Sequence, residues 1–255
     1  MKRLLPLLLI TMPFMAPLVA HADDCDHTRD IKETIDASSI ANLNVIARAG
    51  KLKIAGYKDG NDIYIDAKLC SDSKKVLKVM DVTFEAGDDT GEIETIMAKD
   101  SWLSSGNHKI DLALKVPQRL MLDVLDSSGS VLVEGVAGLN IDDSSGSLDI
   151  NSIAGDLNLK DGSGSIGIRQ VGGSVTLSDG SGAISVENVG TDVLVTQDGS
   201  GSISVRNVAG DFVVNDDGSG SISAANIGGH FWVREDGSGS INFKNIGGKV
   251  DIPKK

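Results

Sequence analysis

Positive charge is scarce in this sequence. Against 36 acidic residues there are 24 Lys and Arg, for a formal net charge of −12. Such a surface repels phosphate backbones and anionic headgroups, which argues against nucleic acid or an acidic membrane as partner. Cysteine is limited to Cys25 and Cys70. Two thiols are too few for a structural zinc site, which wants four ligands. Long apolar runs are limited to one, Leu4–Ala20, so no second stretch could cross a bilayer as a helix. Catalytic signatures are missing as well. There is no H-E-x-x-H and no G-x-S-x-G, and His27, His108 and His230 are scattered.

The apolar run has a role of its own. Lys2 and Arg3 precede it, Pro6, Pro13 and Pro17 interrupt it, and Ala20-His21-Ala22 closes it. A basic start, an apolar centre and small residues in A-x-A spacing read as a signal peptide over 1–22, cleaved before Asp23. Losing Lys2 and Arg3 makes the mature chain two charges more negative. Export implies an oxidising compartment, where Cys25 and Cys70 are expected to pair. The exported chain is expected in the periplasm, secreted or at the cell surface, with no membrane insertion after cleavage.

What the sequence does hold is a repeat. D-S-S-G-S at Asp126 and Asp143 recurs as D-G-S-G-S at Asp161, Asp198, Asp217 and Asp236, and as D-G-S-G-A at Asp179. A period that settles at 18 and then 19 residues is the mark of a solenoid. Each unit holds two short alternating runs, such as Ile203-Ser204-Val205 and Phe212-Val213-Val214, separated by glycine-marked turns. Alternation at period two buries one face of a strand. Ile166, Ile184 and Ile203 on the first strand, and Val175, Val193 and Phe212 on the second, therefore form inward columns. The inward set continues to Ile241 and Phe243 on the first strand, with Val189, Val208, Ile227 and Ile246 filling a corner. The expectation is an all-β parallel solenoid of about seven coils over 119–255. An irregular β-rich portion over 23–118 would be tied by the disulfide and end near Pro117. It reads either as diverged outer coils or as a separate small β-sandwich.

Asn42-Leu43-Asn44-Val45, then Gly50-Lys51-Leu52-Lys53-Ile54-Ala55-Gly56, then Leu112-Ala113-Leu114-Lys115-Val116-Pro117, and finally the Gly-Ser repeats resemble a known family. It is the bacterial β-strand-repeat family labelled "putative adhesin", a domain of unknown function. The resemblance implies a right-handed parallel β-helix and an envelope or surface location, and it brings no catalytic residues. This chain departs from the family in the regularity of its D-G-S-G-S coils and in its cysteine pair.

Four periodic features are candidate sites. Asp161, Asp179, Asp198, Asp217 and Asp236 should stack one above another, with Asp126 and Asp143 before them. Each reads as the head of an Asx-type turn. The functional alternative is a row of calcium sites completed by Ser163, Ser181, Ser200, Ser219 or Ser238. Asn188, Asn207, Asn226 and Asn245 read as an amide ladder. Leu194, Val213 and Trp232 point away from the core and form an apolar surface, either covered by the chain itself or open to a partner with Trp232 as anchor. Ser185, Ser204 and Ser223 make a flat hydroxyl-rich face. No cofactor is required, calcium apart. The expected function is a non-catalytic envelope or surface scaffold that binds a protein or glycan. The alternatives are a calcium-binding roll and a β-helix carbohydrate-active enzyme, the latter needing a non-repeating carboxylate cluster. Pro253, Lys254 and Lys255 read as a stop against end-to-end association, so a monomer is expected.

Overall fold

A computed structural model describes residues 25–98 and 106–254. The expected signal peptide over 1–22, its expected cleavage site and Lys255 lie outside the described residues. The N-terminal part contributes β1 (His27–Asp36), β2 (Asn42–Ile46), β3 (Leu52–Tyr57), β4 (Asp62–Ser71), a one-turn helix α1 (Lys74–Leu77), β5 (Asp81–Ala86), β6 (Thr90–Ile96), β7 (His108–Pro117) and β8 (Met121–Asp126). Ser73 caps α1 by accepting from the Val76 amide. Sequence reading anticipates a β-rich portion here. It misses α1 and β1, whose charged and largely exposed sequence carries no alternation.

The repeat then supplies strand pairs. They are β9 (Gly129–Glu134) and β10 (Gly138–Asp143), β11 (Gly146–Ile153) and β12 (Leu157–Asp161), β13 (Gly164–Val171) and β14 (Val175–Asp179), and β15 (Gly182–Val189) and β16 (Val193–Asp198). They continue as β17 (Gly201–Val208) and β18 (Phe212–Asp217), β19 (Gly220–Ile227) and β20 (Phe231–Asp236), and β21 (Gly239–Ile246) and β22 (Val250–Asp251). Odd-numbered strands from β9 stack in one sheet and even-numbered strands in the other. The pairing is parallel and in register, so that Ile166, Ile184, Ile203 and Ile222 follow one another rung by rung. The expected parallel β-solenoid is present.

The N-terminal strands belong to the same two sheets. β3 pairs with β9 and β2 with β8, both in parallel. Beyond them β4 and β1 extend the first sheet in antiparallel sense, and β5 does so for the second. One continuous hydrophobic core runs from Ala37 to Val233 between the sheets. The disulfide Cys25–Cys70 is formed, with Cα atoms 5.6 Å apart, and anchors the start of β1 to β4.

Two kinds of residue turn the chain at each rung. The second glycine of D-G-S-G sits at positive φ, for example Gly220 at 148°, where a Cβ would lie 1.4 Å from the carbonyl oxygen of Gly201. The opposite corner uses left-handed Asn188, Asn207, Asn226 and Asn245, with φ of 55–61°. Asparagine is among the few side chains that tolerate this region.

The inward columns are buried as expected except in the outermost rung. Ile241 and Ile246 are only half-buried, and Phe243 is 47% exposed. A solenoid side chain is covered by the rung above and the rung below. Among the described residues no strand stacks on the outer side of β21.

Candidate functional site

Three longitudinal rows follow from the register. Inside the solenoid, at the last position of each second-sheet strand, lie Asp126, Asp143, Asp161, Asp179, Asp198 and Asp217, paired rung to rung. All six are no more than 3% exposed. Apart from Ser71 and Thr95 they are the only buried polar residues among the described ones. Asp236 follows in register but is less covered.

The turn role is real. In Asp143, Asp161 and Asp179 one carboxylate oxygen accepts from the amide of the serine two residues on, at 3.2–3.3 Å. The second oxygen, Oδ2, of Asp126, Asp143, Asp161, Asp179 and Asp198 is buried with no hydrogen-bond partner. Alternation extended one position past the apolar run would have placed Asp126, Asp143, Asp161 and Asp179 inside, whereas Asp198 and Asp217 reach the same side only after an extra residue in the strand. Their turn-forming sequence context hid that placement.

Burial is the first cause of a raised pKa in Asp126, Asp143, Asp161, Asp179 and Asp198, because water can no longer solvate the charge. Asp126 rises to about 7, with the neighbouring Asp143 carboxylate as the second cause. Asp161 and Asp198 rise to about 6, with neighbouring aspartates as the second cause. Asp143 and Asp179 are also raised by burial, against amide hydrogen bonds that pull them down. Of the serines considered as calcium ligands, Ser163, Ser200 and Ser238 are exposed and Ser181 and Ser219 half-buried, while the carboxylates point inward. Among the described residues no group of three or more His, Cys, Asp or Glu is placed to hold a metal ion.

On the outer face of the second sheet, Thr176, Leu194, Val213 and Trp232 stand in register in consecutive rungs. The last three are half-buried. The His230 ring stacks on Trp232 with centroids 5.0 Å apart and planes 9° from parallel. His230 Nδ1 accepts from the Lys249 amide at 2.8 Å, which fixes the ring's orientation. This corner row was not legible in the sequence. Asp192 and Asp211 play the same part below it, each accepting an amide of the next rung through Oδ1 at 2.7 and 2.6 Å. Toward the N-terminal end the same outer column becomes polar. Asn158 donates to Asn140 at 2.9 Å, and with Asp123, Thr176 and Ser178 these residues line an open furrow of about 700 Å³.

The third row is the amide ladder. Asn245, Asn226 and Asn207 each donate to the asparagine one rung below at 2.9–3.0 Å. They form one wall of a furrow of about 960 Å³ that runs along the corner over Val189, Val208 and Ile227.

One Ser–His contact invites a catalytic reading. Ser71 Oγ lies 2.9 Å from His108 Nδ1. Ser71 is fully buried, and its hydroxyl also bonds the backbone of Ser73 as both donor and acceptor. His108 Nε2 is buried without a carboxylate to orient it. The contact secures the end of β4, and it lacks the access and the third member that nucleophilic catalysis needs.

No protein-family model and no curated protein matches the chain. Solved structures do resemble it at low identity. A putative adhesin from Bacteroides fragilis is 18% identical over 88% of this chain and 97% of its own, with a TM-score of 0.45. A putative adhesin from Parabacteroides merdae is 13% identical, covering 90% and 97%, with a TM-score of 0.44. A putative lipid binding protein from Parabacteroides distasonis is 13% identical, covering 88% and 97%, with a TM-score of 0.38. Among the described residues no helix is long and apolar enough to cross a membrane.

Proposed function

We propose that the protein is an exported, non-catalytic β-solenoid of the cell envelope or surface that binds a protein or glycan through the outer face of its second sheet. The observation that carries this reading is the in-register column Leu194, Val213 and Trp232, half open to solvent, with the indole held against His230. An aromatic side chain fixed in orientation loses little entropy on contact and is a common anchor of recognition surfaces. Polar rows flank the column along the solenoid axis, so a partner can be engaged over several rungs. The leader over 1–22 delivers the chain, the portion over 23–118 closes one end, and the coils over 119–255 present the surface. The protein acts as a monomer.

Cell fractionation tests the location, and a retained cytoplasmic pool would contradict it. The disulfide-intact protein and its Trp232→Ala variant, offered to envelope proteins and to a glycan array, test the surface. Binding by the parent that falls at least about tenfold in the variant supports the proposal. Equal binding by the two proteins refutes it.

A further inference from the structure

We propose that the buried aspartate row is a proton-binding site, in which neighbouring aspartates hold protons between rungs so that the folded solenoid carries bound protons at neutral pH. The geometry leaves few other solutions. Five consecutive aspartates each have a buried Oδ2 without a partner, one rung apart in a parallel register. Rungs of a parallel sheet lie about 4.8 Å apart, so ionising every member would place like charges side by side away from water. A proton on one carboxyl turns its orphan oxygen into a donor. The next rung's carboxylate can accept it, and both unsatisfied atoms are paired at once.

Among the described residues no Lys, Arg or His is buried beside the row. The inward residues of the first sheet, such as Leu148, Ile166, Ile184 and Ile203, are apolar. The charged residues next in sequence to the row's members are Asp142, Lys160, Asp216 and Glu235. All four are exposed, with Lys160 3.4 Å from Asp142 at the surface. Burial raises the row's pKa, so folding takes up protons and stability changes with pH. The raised groups contribute fully below the unfolded aspartate pKa of about 4, and their contribution is lost as pH rises through the folded values of about 6 to about 7.

The test uses the full mature protein with its disulfide formed. Infrared spectra in D2O at neutral pH should show the carbonyl band of protonated carboxylic acid. The band should weaken in the Asp161→Asn/Asp198→Asn variant, which keeps shape while removing two ionisable groups. The wild-type melting temperature should fall by about 5–10 °C between pH 4 and pH 8, and the variant's by less. A control variant, Asp59→Asn/Asp88→Asn, removes equal charge from exposed turns and should parallel the wild type. The spectrum of the wild type stands alone if the buried variant fails to fold. Absence of the acid band at neutral pH would overturn the proposal. So would a melting temperature that rises with pH, or a control that flattens the curve as much as the buried pair. Calcium that raises the neutral-pH melting temperature, reversibly with chelator, would assign the row to a metal ion instead.

Discussion

At the residue scale the solenoid depends on side chains that are small or that accept unusual backbone geometry. Gly201 sits at φ 142° with its missing Cβ directed at the Gly182 carbonyl oxygen, 1.6 Å away. Gly201→Ala meets both strain and overlap with backbone that cannot move independently. It should cost more than about 3 kcal/mol in denaturant unfolding. Asn207 combines two roles that substitution can separate. Asn207→Gly keeps the left-handed turn and loses the amide ladder, whereas Asn207→Ala loses both. The alanine variant should be less stable than the glycine variant by about 1–2 kcal/mol. Equal stability would show that the ladder, and not the turn, selects asparagine.

At the element scale each strand is half of a rung, and its energy comes from the strands above and below. Phe212 is fully buried in β18 and stacks on Phe231 in β20, with centroids 5.2 Å apart. Phe212→Ala opens a cavity in two rungs at once and should cost about 3–5 kcal/mol by urea unfolding. Trp232 lies on the other face of the same sheet, and its truncation should cost well under half as much. That contrast separates the core face from the outer face of one strand set. Alternation within the repeat made both faces legible before any coordinates. It failed for β1, whose only core contacts, Ile31 and Ile35, stand four residues apart, and it overstated the burial of Phe243, whose outer neighbour rung is missing among the described residues.

At the scale of the whole molecule, the two ends differ. The outermost strand of the first sheet at one end is β1, studded with Arg29, Asp30, Lys32 and Glu33 and paired antiparallel to β4. At the other end β21 and β22 leave Phe243 and Val250 exposed. A charged antiparallel edge does not continue a parallel apolar one, so end-to-end growth lacks a matching surface. Light scattering at moderate concentration should therefore show no large assemblies. The Cys25–Cys70 bridge spans 45 residues of sequence at the capped end. Replacing both cysteines by serine should cost about 2–4 kcal/mol. Hydrogen exchange should report the loss first in β1 and β4, while the central rungs stay protected.

The sequence by itself determined the solenoid, its rung length, its inward columns, the amide ladder and the outward Leu194–Val213–Trp232 row, because residues one period apart must become neighbours when identical units stack. Only the tertiary structure decided which side of the wall the aspartates occupy and how the irregular strands from β1 to β7 join the same two sheets. A turn motif satisfies its local hydrogen bonds equally well with the carboxylate turned to solvent or to the core. The direction of the backbone as it enters the next strand settles that choice, and in the longer rungs an extra residue before Asp198 and Asp217 breaks the alternation that would have signalled it.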